Sequence, residues 1–439
     1  KAETPRTALR KEHITSDLEQ QLAQWDTWMA ENAMGGRTRE NSRETILRIL
    51  GWMHYYGSKP LDDLKLEIVI PFVKTKYELA EFEKEKDPVS AWILTKEKAI
   101  VNQKTVADAA VERLKQYLSF SQGCARSKMQ YLIVVIRLAK YLYQYETEFP
   151  DGRDSYSDVI FIRQLRRYQA KLQRQAVSEG PTVPFSLKSI PLAEVPSVLE
   201  VLKKKADQER AFHGSKRKVT AQARSIQRLL MVLFFASCPP RRVGAIAGLI
   251  PGQSLVRGVI RDDGRFVPEA QLGPNDSAVW VMRLGVKLED GKRASYKTLK
   301  KYGTVDIEIV DYKFKDGTSF YTYIDLWLAE YRALLEPQTN TFFVRDATKG
   351  PMTSEAMTAK FTSQMNSIVG FPISPKEFRK MFVTYVQGRS ETTERDKEGA
   401  AAALGHSRRM FDEVYDQEEI NRKIKTGVDL ARRVWEELA

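Results

Sequence analysis

The stretch LGHSRRMFDEVY (404–415) sets His406 nine residues before Tyr415, behind a Leu-Gly pair and beside Arg408 and Arg409. The chain of 439 residues has four histidines, and the other three, His13, His54 and His213, stand in its first half. A lone His–Tyr pair is ordinarily core packing. A Leu-Gly before it reads as a helix end turning into a new segment, so the flanking sequence decides what the pair does.

Around that stretch the chain reads as mostly helical. In 14–33, Leu18, Leu22, Trp25 and Met29 fall at helical spacing, with Thr15 or Ser16 as N-cap. Residues 38–57 repeat the pattern with Ile46, Ile49, Leu50 and Met53, and 60–73 reads as a turn into another helix. The segment 74–104 is charged and less regular, and is treated as an insertion. Two helices broken at Gly123 are expected between Val106 and Tyr145, then a basic helix over 158–177. AVSEGPTVPFSLKSIP (176–191) has linker composition. Helical patterns return at 191–205 and 220–238. SAVWVMRLGV (277–286) and YGTVDIEIVD (302–311) are strand-like. Further helices follow over 320–335, 354–369 and 376–388. The expected organisation is a helical domain over 1–175, a linker over 176–191, and a mainly helical domain with one small sheet over 192–439, an α+β class. Ile424, Val428, Ala431, Trp435 and Leu438 give a terminal amphipathic helix over 418–439.

Composition narrows the class. The apolar fraction of 42% is ordinary for a globular protein. The longest apolar run, LLMVLFFASC (229–238), suits a buried helix and is too short to span a bilayer, so no membrane partner is expected. The first twenty residues are charged and polar, unlike a secretory signal. Two cysteines, Cys124 and Cys238, make neither a disulfide framework nor a metal cluster and suit a reducing compartment. The expected location is cytoplasmic or nucleoid-associated, or nuclear in a eukaryotic host. No cofactor is expected, although carboxylates leave magnesium open.

The formal net charge of +13 favours a polyanionic partner, nucleic acid ahead of an anionic membrane. Between Val201 and Arg228 there are nine Lys or Arg against two acids. Lys203, Lys204, Lys205, Lys216, Arg217 and Lys218 are therefore candidate phosphate contacts, with a solvated helix face as the ordinary alternative.

Three further pieces of the second domain carry unusual polar chemistry. In SCPPRRVGAIAGL (237–249) a buried-looking helix stops at two prolines before Arg241 and Arg242. SYKTLKKYGTVDIEI (295–309) gathers Lys297, Lys300 and Lys301 before a strand. In SPKEFRKMFVTY (374–385), Lys376 and Arg379 lie three apart at a helix start, where cations oppose the helix dipole. Taken singly, each has an ordinary explanation: solvated arginines, polar turn residues, a common helix-start pair.

Taken together with the opening stretch, their order resembles the tyrosine recombinases, the phage-integrase family. That family's last box reads L-G-H-S with a tyrosine nine residues after the histidine, and Leu404, Gly405, His406, Ser407 and Tyr415 match it. Its H-x-L-R box is matched by Lys376-Glu-Phe-Arg379, with Lys in place of His. Its G-L-R-x-S-E-L-x-x-L box aligns on Arg242 with Val243, Ile246 and Leu249, Arg241 being the alternative. Its hairpin lysine is matched by Lys297-Thr298, with Lys300 and Lys301 as alternatives. Ala245 departs from the pattern, standing where an acid is usual. The likeness covers about residues 190–420, and TRENSRETILRILGWMHYY adds a weaker likeness to the family's core-binding domain.

The resemblance implies a helical core-binding domain and a catalytic domain closing as a C-shaped clamp on double-stranded DNA. It implies cleavage and rejoining through a 3′-phosphotyrosine on Tyr415, with Arg242 and Arg379 gripping the phosphate, Lys297 as general acid, and Lys376 and His406 assisting. Integration or excision of a mobile element by a homo-tetramer joined through the C-terminal helix is the expected setting. Two alternatives stay open: a dimeric telomere resolvase, which Lys376 favours, and a DNA-binding protein that has lost catalysis, which Ala245 favours.

Overall fold

The computed structural model describes residues 7–152, 154–180, 183–210, 213–236, 239–286, 303–389 and 391–405. It divides into two units, Lys1–Thr182 and Val183–Ala439. Lys297, Lys300, Lys301, His406, Tyr415 and the expected helix 418–439 lie outside the described residues.

The first unit is helical. Helix α1 (Ser16–Glu31) starts where the Thr15 hydroxyl accepts from the Leu18 amide at 3.3 Å, satisfying one of the amides that a helix start leaves open. Leu18, Leu22, Trp25 and Met29 are fully buried. They pack with Ile46, Ile49 and Leu50 of α2 (Gly36–Tyr55). Between 60 and 73 only one α-turn forms, α3 (Leu66–Val69), in place of the longer helix expected. Pro71 closes it off, and the Tyr143 hydroxyl pins the exit by donating to the Pro71 carbonyl (2.7 Å) and accepting from the Val73 amide (3.1 Å).

The charged segment departs from expectation. Helix α4 runs unbroken from Pro88 to Phe120, 33 residues, with Pro at its first position and Asp87 accepting from the Ser90 amide. Its first half packs one face on the loop before it, where the Trp92 indole donates to the Tyr77 carbonyl at 2.8 Å. Its outer face keeps Ile93, Leu94, Ile100 and Val101 exposed among lysines and glutamates, and this dilutes the periodic signal. Helices α5 (Ala125–Leu142) and α6 (Ile160–Glu179) complete the unit. Because α6 runs to Glu179 and buries Ala176, the irregular, Pro-rich stretch starts at Gly180 rather than at 176.

The second unit is built on α8 (Val219–Ala236), buried on all sides from Leu229 to Phe235. Phe234 meets the edges of Phe320, Phe342 and Phe343 with ring centroids 5.0, 5.5 and 5.7 Å away, a geometry that suits aromatic quadrupoles. Around it lie α7 (Val195–Asp207), the short α9 (Val243–Ala247), α10 (Phe320–Leu326), which continues through a π-turn at Trp327–Tyr331, α11 (Ser354–Val369), α12 (Pro375–Gln387) and α13 (Glu394–Leu404).

Four antiparallel strands form one sheet in the order β2-β1-β3-β4: β1 (Leu255–Ile260), β2 (Phe266–Pro268), β3 (Val279–Leu284) and β4 (Val305–Glu308). β3 and β4 fall in the two strand-like segments, whereas β1 and β2 form a hairpin the pattern reading passed over. Gly258 of β1 gives the Phe266 ring room: an added Cβ would lie 2.5 Å from Phe266 Cε2. The Arg283 guanidinium covers that ring at 4.4 Å and pairs with Asp306 at 2.9 Å. The fold is thus mainly helical with a small sheet, an α+β arrangement. No described helix is long and apolar enough to cross a membrane.

Candidate functional site

The second unit brings three of the four polar pieces to one buried guanidinium. α12 opens with a capping box. The Glu377 carboxylate accepts from the Ser374 amide at 3.2 Å and from its hydroxyl, and Pro375 holds the first helical position. One turn on, Phe378 is fully buried and Arg379 is 4% exposed. Arg379 Nη1 donates to the Pro240 carbonyl and Nη2 to the Leu404 carbonyl, each at 2.9 Å. Pro240 directly precedes Arg241 and Arg242, and Leu404 stands two residues before His406.

Arg241 is 3% exposed, while Arg242 is half-buried and occupies the N-cap position of α9, where its carbonyl accepts from the Ala245 amide at 2.9 Å. Sequence alone could not separate these neighbours; the fold turns Arg241 inward. Ala245 is a buried methyl on α9. Lys376, at the start of α12, is exposed, so the Lys-x-x-Arg pair divides between surface and interior.

The Leu-Gly pair closes α13. Thr393 caps its start, accepting from the Asp396 amide at 3.2 Å. Leu404 anchors its end against Val383 and Ala401. Gly405 takes φ 69° and ψ 40°, and its amide donates to the Ala402 carbonyl at 2.8 Å. This left-handed conformation is costly for residues with a Cβ.

The segment before α9, the start of α12 and the end of α13 thus meet at the Arg379 guanidinium. Guanidiniums stay protonated at any physiological pH and present planar forks of donors. Such a group can hold an oxyanion in fixed orientation. Lys297, expected as a general acid, belongs to the sequence between the paired strands β3 and β4.

The basic run 203–218 divides into two kinds. Lys203 is 9% exposed and sits between Asp207 (2.6 Å) and Asp316 (2.5 Å), so it braces the fold and the expected phosphate contact there is withdrawn. Burial opposes its charge, but the bonds to Asp207 and Asp316 outweigh that and hold its pKa above the ordinary lysine value. In return the Lys203 and Thr318 bonds draw Asp316 down to about 2. Arg217 likewise turns inward, donating to the Lys205 and Gln208 carbonyls at 2.8 Å and to Ser225 Oγ at 2.7 Å, which caps α7. Lys204, Lys205, Lys216 and Lys218 remain exposed. The signal that would have set Lys203 apart is its place on the apolar side of α7, in register with Leu199, Leu202 and Ala206.

No family model matches the chain, and no curated protein matches it either. Among solved structures, one described as the crystal structure of XerA recombinase is similar at 13% identity, over 93% of this chain and 98% of that one, with a TM-score of 0.30. An overlap that loose carries no argument about function.

Proposed function

We propose that the chain is a DNA strand transferase of the tyrosine-recombinase kind, acting on double-stranded DNA. The reading rests on the order and spacing of the sequence boxes. The observation that supports it is the double contact of Arg379 with Pro240 and Leu404, which ties three separate boxes together at one place.

A phenol with a pKa near 10 is a poor nucleophile until nearby cations favour loss of its proton. In the proposed reaction Tyr415 Oη attacks a phosphodiester. Arg242 and Arg379 hold the non-bridging oxygens as charge builds on the phosphorane, with Arg241 the alternative to Arg242. Lys297 gives a proton to the leaving 5′-oxygen. Lys376 and His406 hydrogen-bond the phosphate or assist proton transfer. The products are a 3′-phosphotyrosine and a free 5′-hydroxyl. The phosphoester bond is conserved in the protein–DNA link, so rejoining requires no nucleotide. Recombination of a mobile element by a tetramer is the setting we favour, and hairpin formation by a dimer is the variant that Lys376 supports. The buried methyl of Ala245, where the family places a carboxylate, supports a second reading, DNA binding without cleavage.

The test is a denaturing gel of the chain incubated with nicked duplexes drawn from the DNA flanking its gene. Wild type should leave a covalent adduct on the 3′-phosphate and Tyr415→Phe none. Absence of adduct from both proteins on every flanking duplex favours the binding-only reading.

A further inference from the structure

Helix α6 (Ile160–Glu179) carries Arg163, Arg166, Arg167, Lys171 and Arg174, and no acid before Glu179. Its apolar side, Phe161, Ile162, Leu165, Leu172 and Ala176, is buried in the first unit's core. Arg163, Arg167, Lys171 and Arg174 are all exposed, and their spacing of four, four and three residues sets them in a row along one face. At 1.5 Å per residue the row is roughly 16 Å long.

Some other surface arginines are neutralised locally, Arg43 by Glu19 at 2.5 Å and Arg261 by Asp276 at 2.7 Å. The acids on and beside α6 bond to neutral groups or to a lysine of α4 rather than to the row. Asp108 accepts from Gln164 at 2.6 Å, Glu112 pairs with Lys115 at 2.9 Å, and Glu179 accepts from the Ala125 amide at 3.1 Å. Arg166 turns aside to the Ser155 carbonyl at 2.6 Å. The row thus concentrates positive charge, and none of its four cations is in an ion pair with a carboxylate of the described residues, an arrangement that self-repulsion disfavours unless an anion meets it.

We propose that this face of α6 docks on the phosphate backbone of duplex DNA. A row of that length faces about five phosphates of one strand, taken at 3.4 Å of axial rise each. Guanidiniums fit phosphate oxygens two at a time. An anionic membrane is the weaker partner, because a helix that lies in a bilayer surface inserts its apolar side, and that side of α6 is already committed to the core. The proposal deepens the reading of the chain as a DNA strand transferase and rests on it for the choice of DNA.

The experiment titrates the full chain onto a fluorescent 30-base-pair duplex of arbitrary sequence across a salt series. Each phosphate contact contributes about 0.9 to the slope of log affinity against log salt. The variant R163Q/R167Q/K171Q/R174Q should flatten that slope by about three to four and weaken binding at 0.1 M salt by on the order of 10³-fold. R163K/R167K/R174K should keep the wild-type slope. Should the fourfold variant fail to fold by circular dichroism, the single variants R167Q and R174Q serve, each expected to flatten the slope by about one. A wild-type slope in folded variants overturns the proposal, as does binding lost on phosphatidylserine vesicles but kept on the duplex. The readout needs no cleavage. Absence of the Tyr415 adduct with the slope change intact would therefore sink only the strand-transfer reading, and an adduct with an unchanged slope would sink only this surface.

Discussion

Arg379 on α12 donates through Nη2 to the carbonyl of Leu404, the last residue of α13, at 2.9 Å. That carbonyl is among the four that every helix end leaves without an intrahelical partner. The same guanidinium reaches the Pro240 carbonyl, so one side chain fastens two chain segments that are far apart in sequence. Arg379→Ala should lower stability by about 3 kcal/mol, the sum of two hydrogen bonds from a charged donor. The shift in urea midpoint measures it. Arg379→Lys keeps the charge but not the two-armed reach and should recover only part of the loss. An unchanged midpoint in Arg379→Ala would show that the two contacts add nothing to stability.

Gly405 holds φ 69° at the end of α13. Gly405→Ala forces a methyl into that conformation and should cost about 1 kcal/mol. Gly405→Asn should cost less, since asparagine tolerates the left-handed region better. Thermal denaturation of the three proteins gives the order, and equal stability of the alanine and glycine forms would contradict the assignment.

The Lys203–Asp316 pair predicts an acid limb. The pKa of Asp316 is drawn from the ordinary 3.8 to about 2 in the folded chain. Its contribution is complete above the unfolded value and disappears as pH falls through the folded one. Wild type should lose stability between about pH 4 and pH 2 more steeply than Asp316→Asn. Lys203 is shifted upward, so its own contribution holds below the ordinary lysine value of 10.5 and fades only in stronger base. Denaturant midpoints at a series of pH values separate the two proteins, and parallel curves would refute the linkage.

Gly258 predicts a packing defect. A valine there would collide with the Val267 carbonyl of β2 as well as with the Phe266 ring, forcing both away from β1 and the ring out from under Arg283. Overpacking of this kind costs about 2 kcal/mol. Near-ultraviolet circular dichroism should change with the midpoint. Gly258→Val with wild-type stability would contradict the close approach of β2 to Gly258.

The chain shows which parts of a fold local pattern can reveal. Helices α1, α11 and α12 are legible because each joins a cap residue to apolar positions that one side of a core then buries, as Thr15 does with Leu18, Leu22 and Trp25, and α2 is legible by its apolar spacing alone. The first half of α4 was not, although Asp87-Pro88 is a helix start. Lys96, Glu97 and Lys98 break up an apolar face that the fold leaves open. β1 hid behind Gly258, which reads as a strand breaker until the Phe266 ring is known to lie on it. Lys203 looked like one cation in a run of three. Its partner Asp316 lies 113 positions away, and only tertiary structure could pair them. The boxes around Arg242, Arg379 and Leu404 were legible as types and spacings. The inward turn of Arg241 and the carbonyls that Arg379 holds depend on how α9, α12 and α13 meet.

The two large buried apolar clusters keep to their own halves of the chain: one draws only on residues up to Ala176, the other begins at Ile190. Each half therefore buries an apolar core of its own. Where each core melts by itself, a calorimetric scan resolves two endotherms, and one transition temperature would not describe the whole chain. Substitutions at Gly405 or Gly258 should displace one endotherm and leave the other where it was.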